Sequence, residues 1–235
     1  MDDARRQKLL QLASGGVFLA IIAVVVVVIV ASSSGGDSGG KPTRAEQGEV
    51  GELLSGIPQS AMSLGDPDAP VKIQEYGDLQ CPFCKANAEE VTPPVIESAV
   101  RNGEASITFH NFVIIGPQSV PAGEAAIAAG AQGKAWNFIE LFYRNQGEEN
   151  SGYVTEEFLE SIGKKSGIPD LARWNKERKS HKYKKQIEAE SKEAAKLGFE
   201  GTPSFAIEGP STNGLEKIGT PETPGQLEDE IEKAT

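Results

Sequence analysis

Cys81 and Cys84 are the only cysteines in the chain, and with just Pro82 and Phe83 between them their sulfurs can close a disulfide within a single helical turn. With Cys81 as the N-cap of a helix, Pro82 takes the first helical position, where a missing N–H costs nothing and the fixed φ already suits the helix. The free backbone N–H groups of Phe83 and Cys84 then point at the Cys81 sulfur, and the positive end of the helix dipole favours a thiolate there. The pKa of Cys81 is therefore expected to fall, which makes it an available nucleophile and a good leaving group in disulfide exchange. Cys84, one turn inside the helix, is expected to be the more buried, resolving thiol.

The same spacing occurs in half of a zinc site, but zinc takes four protein ligands, or three and a water. This chain offers no second cysteine pair, and its two histidines, His110 and His181, lie far apart. No metal and no other cofactor is therefore expected. An inert structural pair is the remaining alternative, against which Cys-x-x-Cys near a βαβ pattern reads first as a redox motif.

The elements around the pair fit that pattern. After the turn cluster Gly65-Asp66-Pro67-Asp68-Ala69-Pro70, residues Val71 to Tyr76 alternate as a half-buried strand. From Cys84 to about Asn102 the spacing of Ala88, Val91, Val95, Ile96, Ala99 and Val100 predicts a helix, which Pro93 and Pro94 must kink or restart. Ile107 to Phe112 reads as a second strand. Between Ser119 and Gly198 the chain reads as helical: Ala122 to Ala131, Ala135 to Tyr143, Glu156 to Lys165, and Asp170 to Leu197 with breaks. Trp136, Phe138, Phe142 and Tyr143 are expected in its core, and the basic run Lys176 to Lys185 on a solvated face. Ser204 to Ile207 and Leu215 to Ile218 read as strands joined through the turn pair Asn213-Gly214, and a helix over Thr223 to Lys233 with Leu227 and Ile231 inward ends the chain. No internal repeat is evident.

Residues 1–8 carry Arg5, Arg6 and Lys8, and no charge then appears until Asp37. The apolar stretch within that gap, extended from Leu9 to Ala31, reaches the roughly 20 residues that span a bilayer, with the basic end cytoplasmic. A signal peptide cleaved after Ala31 is the competing reading; the length of the uncharged segment favours an uncleaved anchor over 9–31. Either places the following domain outside the cytoplasm, where a chain with no cysteine beyond one pair has no structural disulfide to form. Residues 32–52, rich in Ser, Gly and charge, read as a flexible linker. The net charge of −11 argues against nucleic-acid binding.

Taken together, the chain resembles the DsbA-type thiol-disulfide oxidoreductases, in particular the membrane-anchored extracytoplasmic members. The resemblance covers roughly Gly56 to Ala234 and rests on the turn cluster Gly65 to Pro70, on Cys81-Pro82-Phe83-Cys84, and on Gly201-Thr202-Pro203-Ser204-Phe205, which is similar to the segment carrying the family's cis-proline. It implies an α/β thioredoxin fold over 53–118 and 199–235, interrupted by a helical insertion over 119–198. It further implies that Pro82, Phe83, Thr202 and Pro203 meet the substrate peptide, and that Glu75, six residues before Cys81, is a buried acid that exchanges a proton with Cys84. Two positions depart from the strongest oxidants of the family: Phe83 stands where His is frequent, and Thr202 where Val is common. Both bear on the redox potential.

The function this implies is introduction of disulfides into reduced exported proteins, with reoxidation by a quinone-linked membrane partner of the DsbB or vitamin-K-epoxide-reductase type. A reductase or isomerase would use the same residues at a lower potential. A non-catalytic tethered binding module would use only the groove around Pro203.

Overall fold

The computed structural model describes residues 39–235. The expected cytoplasmic start, the anchor over 9–31 and the first residues of the linker lie outside the described residues. The rest of the linker expectation needs correction, because ordered structure begins well before residue 53. Helix α1 (Arg44–Leu53) opens with a capping box in which Thr43 and Glu46 satisfy each other's backbone N–H groups, and it buries Val50 and Leu53 in the core. Ahead of it, Gly40 N–H donates to the Asn145 carbonyl, and a Cβ on Gly39 would lie only 2.5 Å from the Tyr153 ring. A Gly/Ser composition reads as a tether, but here the missing side chain is what lets the backbone lie flat on an aromatic ring.

Among the described residues one six-stranded sheet forms, in the order β1-β2-β4-β3-β5-β6. The central strands β3 (Val71–Gly77) and β4 (Ala105–Asn111) are parallel, with Glu75 opposite Phe109. The crossover between them runs through α2 (Pro82–Glu90), α3 (Thr92–Val95) and a π-helical turn (Ile96–Val100). The expected break before Pro93 and Pro94 falls at Val91, because neither proline can donate to the preceding turn. Strand β5 (Ser204–Glu208) extends the sheet antiparallel to β3, β6 (Glu216–Ile218) pairs antiparallel with β5, and α9 (Pro224–Ala234) packs Leu227 and Ile231 inward. On the opposite edge, β1 (Gln59–Ser60) and β2 (Ser63–Leu64) make a hairpin that the sequence did not announce, since strands of two residues carry no readable period.

The insertion contains α4 (Ser119–Gly130), α5 (Ala135–Arg144), α6 (Glu156–Lys165), α7 (Leu171–Lys179) and α8 (Lys184–Lys196). Helix α4 is buried on nearly every side, and its Ala122, Ala125, Ala126, Ala128 and Ala129 let its neighbours approach closely. Large aromatic groups fill the space around it, each with its polar atom on a carbonyl: Trp136 Nε1 donates to Met62, Trp174 Nε1 to Ala125, and the Tyr143 hydroxyl to Asp78. One member of the basic run is not solvated. Arg178 is buried, forks onto both oxygens of Glu156 at 2.8 and 3.0 Å, and stacks 4.6 Å from the centre of the Trp174 ring.

Candidate active site

The end of β3 delivers the chain into a loop, Asp78 to Gln80, that is buried and held from both sides. Asp78 accepts from the backbone N–H groups of Gln80, Ile114 and Ile115, each at 2.9 Å, while Gln80 Nε2 donates to Ser119. From the insertion, Gln146 Nε2 donates to the carbonyls of Leu79 and Cys81. Nothing in the type or spacing of Gln146 or Asp78 marked them beforehand, because their roles depend on partners distant in sequence, 65 residues away for Gln146 and Cys81 and 36 for Asp78 and Ile114.

Cys81 is the N-cap of α2, and Pro82 follows at the first helical position. The two sulfurs are free thiols. Both cysteines are buried, Cys84 completely and Cys81 to 2% exposure, so the attackable sulfur opens to solvent only through a narrow face. As a thiol, Cys81 makes no capping bond to the helix and donates instead to the Thr202 carbonyl at 3.3 Å. A thiolate cannot keep that bond. The Cys84 thiol is the main donor favouring the charged form, and burial opposes it; the Thr202 side chain and the N–H groups of Cys84 and Phe83 add further support. The Thr202 hydroxyl is buried and otherwise unpartnered, so it is free to serve as such a donor. Together these effects hold the Cys81 pKa down to about 6. Burial first, and then the neighbouring Cys81, push Cys84 well above the ordinary thiol value. In the reduced protein, the ultraviolet thiolate absorbance is therefore expected to rise with a midpoint near pH 6 and a one-thiol amplitude, with alkylation by iodoacetamide following the same curve.

Thr202–Pro203 is a cis peptide and faces the sulfurs. Beside it runs a groove of about 440 Å³ lined by Phe83, Asn87, Thr202, Pro203, Thr220 and Pro221 among others. Its walls are tied together, since Asn87 Nδ2 donates to the Pro221 carbonyl and Thr220 to the Pro203 carbonyl. Phe83 projects from the helix start and is 73% exposed, an unusual position for a ring of that size. Lys85 turns along the helix toward Glu89, 4.0 Å away.

Glu75 lies on β3 with 2% exposure. Burial, aided by the negative charge of Glu140, raises its pKa to about 8, so at neutral pH it is an uncharged acid. Once ionised, it in turn disfavours charge on Cys84. The structure thus gathers Glu75, Cys81, Cys84, Thr202 and Pro203 at one end of the sheet. Glu140, the source of the charge that helps raise the Glu75 pKa, is buried on α5, and nothing in its type or spacing marks it in the sequence. Among the described residues no cluster of three or more His, Cys, Asp or Glu side chains forms a metal site.

A cis-proline facing an asymmetric dithiol at a helix start, on this sheet, defines a thiol-disulfide oxidoreductase of thioredoxin type. The family model described as Thioredoxin matches residues 59–233. The chain is 35% identical, over 156 residues, to a probable disulfide bond formation protein D of Bacillus anthracis, covering 64% of this chain and 71% of the relative. It is 26% identical over 170 residues to disulfide bond formation protein D of Bacillus subtilis, covering 70% and 75%. The oxidised crystal structure of BdbD from Bacillus subtilis superimposes with a TM-score of 0.66 at 20% identity, over 84% of this chain and 97% of that one. The chain therefore belongs to the DsbA-like thiol-disulfide oxidoreductases of the thioredoxin superfamily, alongside the disulfide bond formation D proteins.

Proposed function

We propose that the protein works outside the cytoplasm as a dithiol oxidase, introducing disulfides into exported proteins. The observation that carries this reading is the unequal pair of thiols, one with a pKa of about 6 and its partner well above the ordinary value. A stabilised thiolate favours the reduced enzyme and so makes its disulfide a stronger oxidant. The sign follows from the lowered pKa. The advantage is complete above the ordinary thiol value, partial at neutral pH, and lost as the pH falls through about 6. At pH 7 it amounts to at most about 1.4 kcal/mol, or ~30 mV for a two-electron couple, before solvent screening reduces it.

In the reaction, a substrate thiolate attacks the Cys81 sulfur. The Cys81–Cys84 bond breaks, and Cys84 leaves as a thiolate that takes the proton of Glu75. A second substrate thiolate then attacks the substrate sulfur of the mixed disulfide, releasing oxidised substrate and the Cys81 thiolate. The substrate backbone lies extended along Thr202 and Pro203 in the groove and against Phe83. Reoxidation passes the electron pair to a quinone-linked membrane protein, and the apolar stretch over 9–31 holds the enzyme at that membrane. The similarity to disulfide bond formation D proteins supports this direction.

The test is the reduction potential of the pair, measured by equilibration against glutathione buffers. A value near or above ~−180 mV is expected, and one near ~−270 mV would make the protein a reductant and overturn the oxidase reading.

A further inference from the structure

The groove beside the cis-proline carries charge of one sign only. Its α2 wall is a stripe of Phe83, Ala86, Asn87 and Glu90, spaced three and four residues apart on one side of the helix, and the facing wall is the cis-proline loop with Thr220 to Glu222. The Asn87 side chain bridges the two walls, donating to the Pro221 carbonyl at 3.1 Å. Glu90 lies one turn beyond Asn87 and Glu222 one residue beyond Pro221, so this bond brings both acids to the end of the groove away from the sulfurs. The Glu222 backbone is fixed there, its N–H donating to the Gln226 side chain at 2.6 Å. Both acids are exposed, and among the described residues neither carboxylate has an ion pair or a hydrogen bond. Among the described residues no lysine or arginine lines the groove. Lys85, on the same helix, turns to Glu89 at 4.0 Å, and Lys217 donates to the Gly198 carbonyl. Glu90 also stands where the helix alone disfavours it. It is the last residue of α2, at the negative end of the helix dipole, with no basic residue in that turn.

We propose that Glu90 and Glu222 select among substrates, and that the groove takes reduced segments carrying a lysine or arginine three or four residues from the reacting cysteine. This rests on the oxidase reading above and names the class of substrate that the same groove prefers. The spacing follows from two rises. Glu90 lies nine residues along the chain from Cys81, about 13 Å of helix, a distance an extended peptide covers in about four residues. A long basic side chain can lean along the groove and close the last step from three. At the near end the groove is apolar, since the Phe83 ring is 73% exposed there. A matching segment therefore lays an apolar side chain beside its cysteine and a cation at the far end, where it meets two carboxylates and the helix terminus together. The acids stand too far from the sulfurs to enter the exchange itself, so they act on encounter and register, and a segment with an acid at that position is repelled.

The experiment measures the second-order rate at which the full-length oxidised protein oxidises reduced two-cysteine peptides. The peptides differ at one position, Lys, Ala or Glu, placed four residues before the first cysteine in one set and four residues after the second in another, so that the set that responds also reads the direction of the bound chain. In at least one set the Lys peptide is expected to react about tenfold faster than the Glu peptide at low salt, with Ala between them, and the spread is expected to close in about 0.5 M salt. The double variant Glu90→Gln/Glu222→Gln is expected to keep its melting curve and lose the spread, and Glu90→Lys/Glu222→Lys is expected to reverse it. Lys, Ala and Glu peptides that react equally with the wild type in both sets would overturn the selection and leave the oxidase reading standing. A spread that survives in the Gln variant would belong to the net charge of −11 and would likewise overturn the assignment to this groove. Failure to oxidise any peptide would overturn the oxidase reading, and the selection with it.

Discussion

Oxidation of reduced protein substrates is expected to fall by at least about a thousandfold, to the uncatalysed background, when Cys81 is replaced with Ser. The size of the effect comes from the division of labour between the sulfurs. Cys81 alone combines a pKa of about 6 with a sulfur beside the cis-proline, 3.3 Å from the Thr202 carbonyl; Cys84 is fully buried, is pushed up well above the ordinary thiol value, and cannot replace it. The serine oxygen fits the N-cap even better than sulfur does, so the fold is expected to persist, and the loss reads the chemistry and not unfolding. Replacing Cys84 with Ser has a different signature. Cys81 still presents its thiolate, which attacks the disulfide of an oxidised substrate and expels one substrate thiolate; with no Cys84 thiol to resolve the product, mixed disulfides accumulate and run as adducts on non-reducing gels. A tethered binding module would keep its activity in both variants, and that outcome would remove the enzyme reading.

The second large effect lies away from the sulfurs. Trp174→Ala is expected to cost about 3–5 kcal/mol of stability, the range for truncating a buried large aromatic side chain. Trp174 is fully buried on α7; its indole N–H is held by the Ala125 carbonyl, one face carries the Arg178 guanidinium, and its ring lies 6.0 Å from that of Phe138. Gly163 on α6 lies so close that a Cβ there would sit 2.7 Å from the ring, so the helix backbone has packed down on the indole and cannot easily follow it inward. Removal also takes from the buried Arg178 the ring it stacks on, leaving Glu156, Glu160 and Asn175 as its partners and adding a desolvation cost. At the usual ratio for a domain of this size the melting temperature drops by roughly 10 °C, readable by calorimetry. A loss below about 1 kcal/mol would mean that the insertion collapses around the gap far more readily than its packing suggests.

How much of this was legible from the residues alone follows a physical division. The strands Val71 to Gly77 and Ala105 to Asn111, the helices of the insertion and the final β-β-α were readable because each repeats an apolar residue at the period of its own backbone. The Cys81-Pro82 helix start was readable because proline and an N-cap are local devices. What escaped depends on partners distant in sequence. Arg44–Leu53 offers only Val50 and Leu53 as buried residues in a charged helix, so it passed for linker. The hairpin Gln59–Ser60 and Ser63–Leu64 is too short to alternate. Glu140 and Gln146 gain their meaning only when α5 and the turn after it pack against α2. Arg178 looked like one more cation of a basic run until Glu156 and Trp174 closed around it.

The ties between the insertion and the loop that carries the sulfurs also bear on modularity. Gln146, Ser119 and the backbone of Asn150 all bond to residues between Leu79 and Cys81. The nucleophile's address is thus written partly in the inserted helices, and excising residues 119–198 would not leave a minimal thioredoxin behind. It would leave a sheet whose reactive loop had lost half of its moorings. Sheet and insertion are in this sense one cooperative object, and any scheme to transplant the Cys81-Pro82-Phe83-Cys84 loop into a smaller scaffold must bring the equivalent of Gln146 with it.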